Sequence, residues 1–287
     1  MNIKEVKNKF HSELNSIYPQ KEIESFFYLL IQYRLNLKRI DIALNPLLQI
    51  STIDQIYFSD SIKKLKQEIP IQYIMGKTEF YGLPFYVDKN VLIPRPETEE
   101  LVDWILKNTK DDREKNKEKS LNLLDIGTGS GCIAISLAKK LQNITIWALD
   151  VSKKALEIAQ KNALLNSVEI RFLEEDILKV EKFPVKFDII ISNPPYVREL
   201  EKLKIKNNVL KYEPHLALFV KNNNPLLFYD KIADIAKENL NNGGQIYFEI
   251  NQYLGKETVE LLQEKGFQHI ELQKDIFGND RKLRATI

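Results

Sequence analysis

At 287 residues the chain is long for one domain and comfortable for two, and a 44% share of hydrophobic residues is enough for a packed core. Its 42 Lys and Arg against 40 Asp and Glu give a net charge of +2, without the basic excess of a dedicated DNA binder. A single cysteine, Cys132, excludes an internal disulfide, and His11, His215 and His269 are too scattered for metal-ligand spacing, so a reducing compartment and metal-free chemistry are expected. No run approaches the ~18 apolar residues of a membrane span, and the charged first residues lack the apolar core of a signal peptide. A cytoplasmic chain that does not engage a membrane is the expectation.

Residues 2–69 show helical periodicity and no strand alternation. Ile3, Val6, Phe10, Leu14 and Ile17 share one face up to Pro19, and Ile23, Phe26, Phe27 and Leu30 begin another. Pro46 and Pro70 punctuate two further helical segments. A small bundle without an ionisable constellation stabilises or recognises rather than reacts, and Phe26, Phe27, Tyr28 and Tyr33 are expected in its core.

From Pro70 to Leu101 the texture changes. Alternation at Phe85–Val87 and Val91–Ile93 around Asp88-Lys-Asn90 predicts a hairpin, a semi-rigid junction between two domains. Pro94 and Pro96 fix an extended exit, and Glu97, Glu99 and Glu100 sit in the first turn of the next helix, where its dipole favours negative charge. Arg95 and Glu97 fall near the mouth of any site that the following domain builds. Residues 107–119, a mixed charged run, read as a solvated loop or a frayed helix end.

From Leu121 strand and helix patterns alternate, the signature of a parallel α/β sheet. Strands are predicted at Leu121–Ile126, Ile144–Leu149, Val168–Leu173, Phe187–Ser192 and Gln245–Ile250. Helices are predicted at Cys132–Leu141, from a cap at Ser152 to about Asn166, up to Asn241, and at Leu254–Lys265. Two last strands follow, Phe267–Gln273 and Leu283–Ile287, separated only by Lys274 to Asp280. A parallel crossover needs about a dozen residues or more, so these two must pair antiparallel. A parallel sheet with an antiparallel end is similar to that of class I methyltransferases and less natural for a nicotinamide dehydrogenase.

Two stretches carry candidate chemistry. In Asp188-Ile-Ile-Ile-Ser-Asn-Pro-Pro-Tyr196 an apolar strand ends in a rigid polar turn. The prolines hold φ near about −65°, push Asn193 into an extended conformation and remove backbone donors. The Asn193 side chain and the Pro194 carbonyl, beside the Tyr196 ring, form a receptor for a planar –NH2 group, either a carboxamide or the exocyclic amine of a base.

The second stretch is Leu124-Asp-Ile-Gly-Thr-Gly-Ser-Gly131, whose glycines allow a tight turn and close approach of a ligand. Asp150, about 20 residues on at the end of the next strand, can accept both hydroxyls of a ribose. Asp176 can accept from an adenine amino group, with Ile177 packing on the ring. These contacts suit any adenosyl cofactor. Asp125, placed to receive a methionyl ammonium through a hydrogen-bond network, and the antiparallel end of the sheet favour S-adenosyl-L-methionine over a dinucleotide. Cys132 packs the start of its helix and is assigned no chemistry.

Pro70-Ile-Gln-Tyr-Ile-Met-Gly76, Glu79-Phe-Tyr-Gly82, Val91-Leu-Ile-Pro-Arg-Pro-Glu-Thr-Glu99, the Asp125–Gly131 loop, Ser192-Asn-Pro-Pro-Tyr196 and Tyr212-Glu-Pro-His-Leu-Ala-Leu218 together resemble the bacterial protein-(glutamine-N(5)) methyltransferases of peptide-chain release factors. The resemblance covers nearly all of the chain from Pro70. It implies a class I S-adenosylmethionine-dependent methyltransferase, with a Rossmann-like α/β sheet and an antiparallel terminal hairpin, preceded by a helical bundle. It implies methylation of the Gln in the Gly-Gly-Gln tip of class-1 peptide chain release factors. Gly127, Thr128, Gly129, Ser130, Gly131, Asp150, Ile177 and Asn193 would contact the cofactor, and Asn193, Pro194, Pro195 and Tyr196 the glutamine. The domains expected are residues 1–75 for recognition of the substrate protein, 76–97 as a hairpin linker and 98–287 for catalysis, in a monomer. Three departures from the family pattern stand out: Asn222-Asn-Asn-Pro225 where relatives often have a Gly-Asp-Gly turn, Asn251 in place of a usual Gly, and Ile177 at a position aromatic in some members.

A DNA adenine methyltransferase can use the same tetrapeptide on a flipped base. It would need a DNA-reading domain, and the 91 residues after Tyr196 are consumed in finishing the sheet, so no direct contact with nucleic acid is expected. A catalytically silent scaffold of the same fold is the other alternative, against which the intact Gly127, Asp150 and Asn193 argue.

Overall fold

The computed structural model describes residues 1–115 and 120–287, in two compact units: residues 1–76 with 206–212, and residues 77–205 with 213–287. The first is helical, comprising α1 (Ile3–Leu14), α2 (Gln20–Leu35), α3 (Arg39–Leu44), α4 (Thr52–Lys66) and α5 (Ile71–Met75). A reciprocal cap starts α1: Asn2 Oδ1 accepts from the Glu5 N–H at 2.9 Å and the Glu5 carboxylate accepts from the Asn2 N–H at 3.0 Å. Phe10, Phe27 and Phe58, all buried, pack edge to face with centroids 5.8 and 6.5 Å apart around Phe10. Truncating one of them to Ala costs about 3–5 kcal/mol. The expected face of α1 ends at Leu14, because the helix stops there and leaves Ile17 40% exposed. Phe26 and Phe27 are core and Tyr28 is partly buried, but Tyr33 is 45% exposed, at the margin of the apolar stripe in the last turn of α2. The segment Asn207–Tyr212 completes this unit, with the Tyr212 hydroxyl donating to the Gln67 carbonyl at 2.5 Å.

The second unit begins with a hairpin of β1 (Lys77–Phe80) and β2 (Leu83–Tyr86), so the first strand of the predicted hairpin, Phe85–Val87, overlaps the second strand of the observed one. Tyr81 and Gly82 both have positive φ, 53° and 70°. That pair makes the tight two-residue turn that matches strand twist, whereas Asp88-Lys-Asn90 forms a side-chain-stabilised turn, with Asp88 Oδ1 accepting from the Asn90 N–H at 2.8 Å. Val91–Ile93 is therefore not a strand.

After α6 (Pro96–Lys115) come β3 (Leu121–Ile126), α7 (Cys132–Lys140), β4 (Ile144–Asp150), α8 (Lys153–Leu165), β5 (Arg171–Glu174) and β6 (Phe187–Ser192). Of the charged run at 107–119, the part to Lys115 is helical and 116–119 lie outside the described residues. Then follow β7 (Val197–Arg198), α9 (Asn207–Tyr212), β8 (Phe219–Val220), α10 (Leu227–Asn239), β9 (Leu240–Glu249), α11 (Gly255–Glu264), β10 (Gln268–Lys274) and β11 (Asp280–Thr286). β5 is shorter than predicted because Ser167, at φ 53°, and a Val168 N–H bond to the Ala163 carbonyl keep the chain in a turn after α8. β9 starts earlier than predicted and absorbs Asn241 to Gly244 in a shift of register against β6.

The seven-stranded sheet has the order β10-β11-β9-β6-β3-β4-β5. β11 pairs antiparallel with both β10 and β9, and all other neighbours are parallel, as the short β10–β11 connection requires. Alternate residues feed two cores: Leu123, Ile189, Ile191 and Tyr247 pack with α6 and α7, while Leu124, Ile190, Ile246 and Phe248 pack with α10 and α11. With both faces covered, ligand access is left to the strand ends.

Candidate active site

The turn after β3 is built on Gly127, Gly129 and Gly131, all at positive φ. A Cβ at Gly131 would lie 2.9 Å from Ile135 Cδ1 and 3.2 Å from Ala159 Cβ, whereas one at Gly127 or Gly129 would meet nothing within 4 Å. Gly131 thus serves the packing of α7 on α8, and the other two leave an open cradle. Behind it Thr128 Oγ1 donates to Asp125 Oδ2 at 2.6 Å, and the Ser130 carbonyl accepts from Asn162 Nδ2 at 2.9 Å. Burial pushes the Asp125 carboxyl up to about 7 against the pull of the Thr128 hydroxyl, and its Oδ1 has no hydrogen-bond partner among the described residues.

Asp150, at the end of β4, accepts from the Gly129 N–H at 2.9 Å and from the Ser152 N–H at 2.8 Å. Each oxygen keeps a further lone pair. Burial raises its pKa, and those N–H groups oppose the rise. Beyond β5, Asp176 accepts from the Leu178 N–H at 3.1 Å and pairs with Lys179 at 3.2 Å, and Ile177 is buried.

At the end of β6 the Asn193 Nδ2 donates to Thr98 Oγ1 at 3.4 Å. The Asn193 Oδ1 and the Pro194 carbonyl accept no hydrogen bond from any described residue. Gly127, Gly129, Asp150, Asp176, Ile177, Asn193, Pro194 and Pro195 line one groove of about 250 Å³. Thr128, Ser130, Gly131 and Tyr196 are not among its walls: the first three shape the loop from behind, and the Tyr196 ring packs on the core beneath β9.

Under the turn lies a buried polar network that motif reading did not predict. The Tyr196 hydroxyl donates to Glu249 Oε1 at 3.0 Å and accepts from Arg281 at 3.4 Å, while Thr98 Oγ1 donates to Glu249 Oε2 at 2.6 Å. Burial raises the Glu249 pKa despite these donors and Arg281, and burial beside Glu249 raises that of Tyr196. Arg95 and the buried Glu213 form a 2.6 Å ion pair, and Glu213 also accepts from the Ile93 N–H at 3.2 Å, which ties the Pro-Arg-Pro segment to the Glu-Pro-His segment. Asn162 clamps the hairpin, accepting from the Tyr86 N–H at 2.6 Å and donating to its carbonyl at 3.0 Å.

Two of the departures from the family pattern hold the chain just after the tetrapeptide. Asn251 Nδ2 donates to the Tyr196 carbonyl and to Glu201, both at 2.9 Å, and Asn222 Oδ1 accepts from the Leu200 N–H at 3.0 Å. Among the described residues no cluster of His, Cys, Asp or Glu can hold a metal ion, and no helix is long and apolar enough to cross a membrane.

The geometry offers a cradle for a small ligand beside an acceptor-rich turn. Residues 5–76 match the model of the PrmC N-terminal domain, and residues 110–216 match the methyltransferase small domain. A release factor glutamine methyltransferase of Flavobacterium psychrophilum is 56% identical over 100% of this chain and 99% of its own. One from Bacteroides thetaiotaomicron is 42% identical over 95% of this chain and 96% of its own. The fold is also that of the T. thermophilus 16S rRNA N2 G1207 methyltransferase, at a TM-score of 0.50 and 18% identity over 73% of this chain and 49% of that one. The chain belongs to the release factor glutamine methyltransferase family.

Proposed function

We propose that the protein transfers the methyl group of S-adenosylmethionine to the side-chain amide nitrogen of the Gln in the Gly-Gly-Gln motif of class-1 peptide chain release factors. The observation that carries this reading is the end of β6, where Asn193 Oδ1 and the Pro194 carbonyl stand beside the groove without donors among the described residues. A carboxamide nitrogen has two N–H groups, and two fixed acceptors are its complement.

The residues fit the cofactor. Gly127 and Gly129 leave the cradle open, Asp150 retains lone pairs for two ribose hydroxyls, and Asp176 and Ile177 offer an acceptor and an apolar surface for adenine. Thr128, Ser130 and Gly131 hold the loop that makes the cradle. When bound, S-adenosylmethionine supplies an electrophilic sulfonium methyl. Asn193 and Pro194 accept both amide protons of the glutamine, point its nitrogen at that methyl and stabilise the positive charge that develops on it. The nitrogen needs no base before transfer, since its proton becomes strongly acidic on methylation and leaves to solvent. Pro195 and Tyr196 hold the turn rigid, with Tyr196 anchored on Glu249.

The helical unit reads the body of the substrate protein, an assignment supported by the exposed Ile40, Leu44, Leu47, Ile53 and Ile56, each at least 60% accessible. The enzyme acts as a cytoplasmic monomer and engages neither nucleic acid nor membrane. Labelled S-adenosylmethionine offered with intact release factor, and separately with duplex DNA, tests the reading. Label in the release factor alone is expected. Label in DNA would establish an adenine methyltransferase, and label in neither a silent scaffold.

A further inference from the structure

Behind the Asn-Pro-Pro-Tyr turn the hydrogen bonds run in one direction. Thr98 and Glu249 are 3% and 1% exposed. Glu249 uses both oxygens as acceptors, from Thr98 Oγ1 at 2.6 Å and from the Tyr196 hydroxyl at 3.0 Å. A threonine hydroxyl has one proton. With that proton committed to Glu249, Thr98 offers Asn193 only lone pairs, and the contact it makes is the acceptance of Asn193 Nδ2 at 3.4 Å. The reversed amide would set Oδ1 against those lone pairs and lose the bond.

We propose that Thr98 and Glu249 are positioning residues that set the polarity of the Asn193 amide, turning its NH2 inward so that its oxygen faces the reacting carboxamide. This rests on the reading of Asn193 as a substrate acceptor. Without the relay the Asn193 amide samples both orientations, and in the reversed one its NH2 meets the NH2 of the glutamine, donor against donor. A mere structural tie between α6 and β9 would act independently of Asn193.

The test compares Thr98→Val, Thr98→Ser, Asn193→Ala and the double variant Thr98→Val/Asn193→Ala in the full chain, with labelled S-adenosylmethionine and intact release factor. Thr98→Val keeps the volume and is expected to lower kcat about tenfold, the worth of one oriented hydrogen bond, with cofactor Kd changed by less than about twofold. Thr98→Ser restores the hydroxyl and should stay within about threefold of wild type. Because Thr98 acts only through Asn193, the double variant should be as slow as Asn193→Ala alone, within about twofold. Glu249→Gln provides a second probe that does not depend on the folding of the valine variant. Its side chain keeps one acceptor for two hydroxyl protons, so Thr98 holds its proton inward for only part of the time, and a smaller loss in the same direction, equally non-additive with Asn193→Ala, is expected. Wild-type kcat in Thr98→Val or Glu249→Gln, or full multiplication of the two losses in the double variant, overturns the relay. A slow Asn193→Ala beside a fast Thr98→Val removes the relay alone, whereas a fast Asn193→Ala removes the underlying reading with it.

Discussion

β3 and β6 are parallel neighbours that end in opposite kinds of turn. After β3 three glycines take positive φ, so the backbone can bend back and expose N–H groups, one of which, at Gly129, meets Asp150. After β6 two prolines remove the N–H groups and leave oxygens, at Asn193 and Pro194, without donors among the described residues. One strand end cradles and the other presents acceptors, and the difference is made by backbone chemistry before any catalytic side chain is considered. Each end can be broken separately.

The largest effect is expected at the acceptor end. Asn193→Ala should slow methyl transfer by about 100- to 1,000-fold, since a preorganised hydrogen-bonding group is worth about 2.7–4 kcal/mol in the barrier. Cofactor affinity by calorimetry should hardly change, so a loss confined to binding would reassign the residue. At the cradle the pattern reverses. Asp150→Ala should weaken cofactor binding by about 1.5–3 kcal/mol, the value of hydrogen bonds to a charged group, and unchanged affinity would place the ribose elsewhere.

Gly131→Ala sharpens the comparison inside the cradle itself. The new methyl meets Ile135 at 2.9 Å in a left-handed conformation, so a loss of about 1–2 kcal/mol in stability is expected from chemical denaturation. The same change at Gly127 or Gly129 carries the same left-handed strain but meets no atom within 4 Å, so it should cost less stability than Gly131→Ala while adding a methyl to the cradle that weakens ligand binding.

An effect read only through pH concerns Asp125, whose carboxyl has an ordinary value of 3.8 and is pushed up to about 7 by burial in the fold. Between those values the folded chain holds a proton that the unfolded chain has released, so the contribution of Asp125 to stability falls as pH rises through this window. Asp125→Asn carries no such cost. Its melting temperature relative to wild type should therefore rise from about pH 5 to about pH 8, and a constant difference would mean that Asp125 is ionised throughout.

The sheet was legible because its signals are local: apolar runs for strands covered on both faces, Ser152 for the start of α8, and a β10–β11 connection too short for a crossover. The two strand ends were legible for the same reason, since glycine and proline act on their own backbone. The hairpin was misplaced because Tyr81-Gly82 is a weaker turn signal than Asp88-Lys-Asn90, and tertiary ties from Asn162 to Tyr86 decide between them. Thr98 and Glu249 were invisible for a different reason. They lie 151 positions apart, and Thr98 follows a proline motif that helix-start rules already explain, so only the fold brings them under Asn193.

The most direct measurement is fragment mass spectrometry of release factor after incubation with the wild-type chain and with Asn193→Ala. A single added methyl on the side-chain nitrogen of the Gly-Gly-Gln glutamine with wild type, and almost none with the variant, is the predicted result. A methyl on any other residue, or equal modification by both proteins, would contradict the account of β6 as the acceptor that directs the amide.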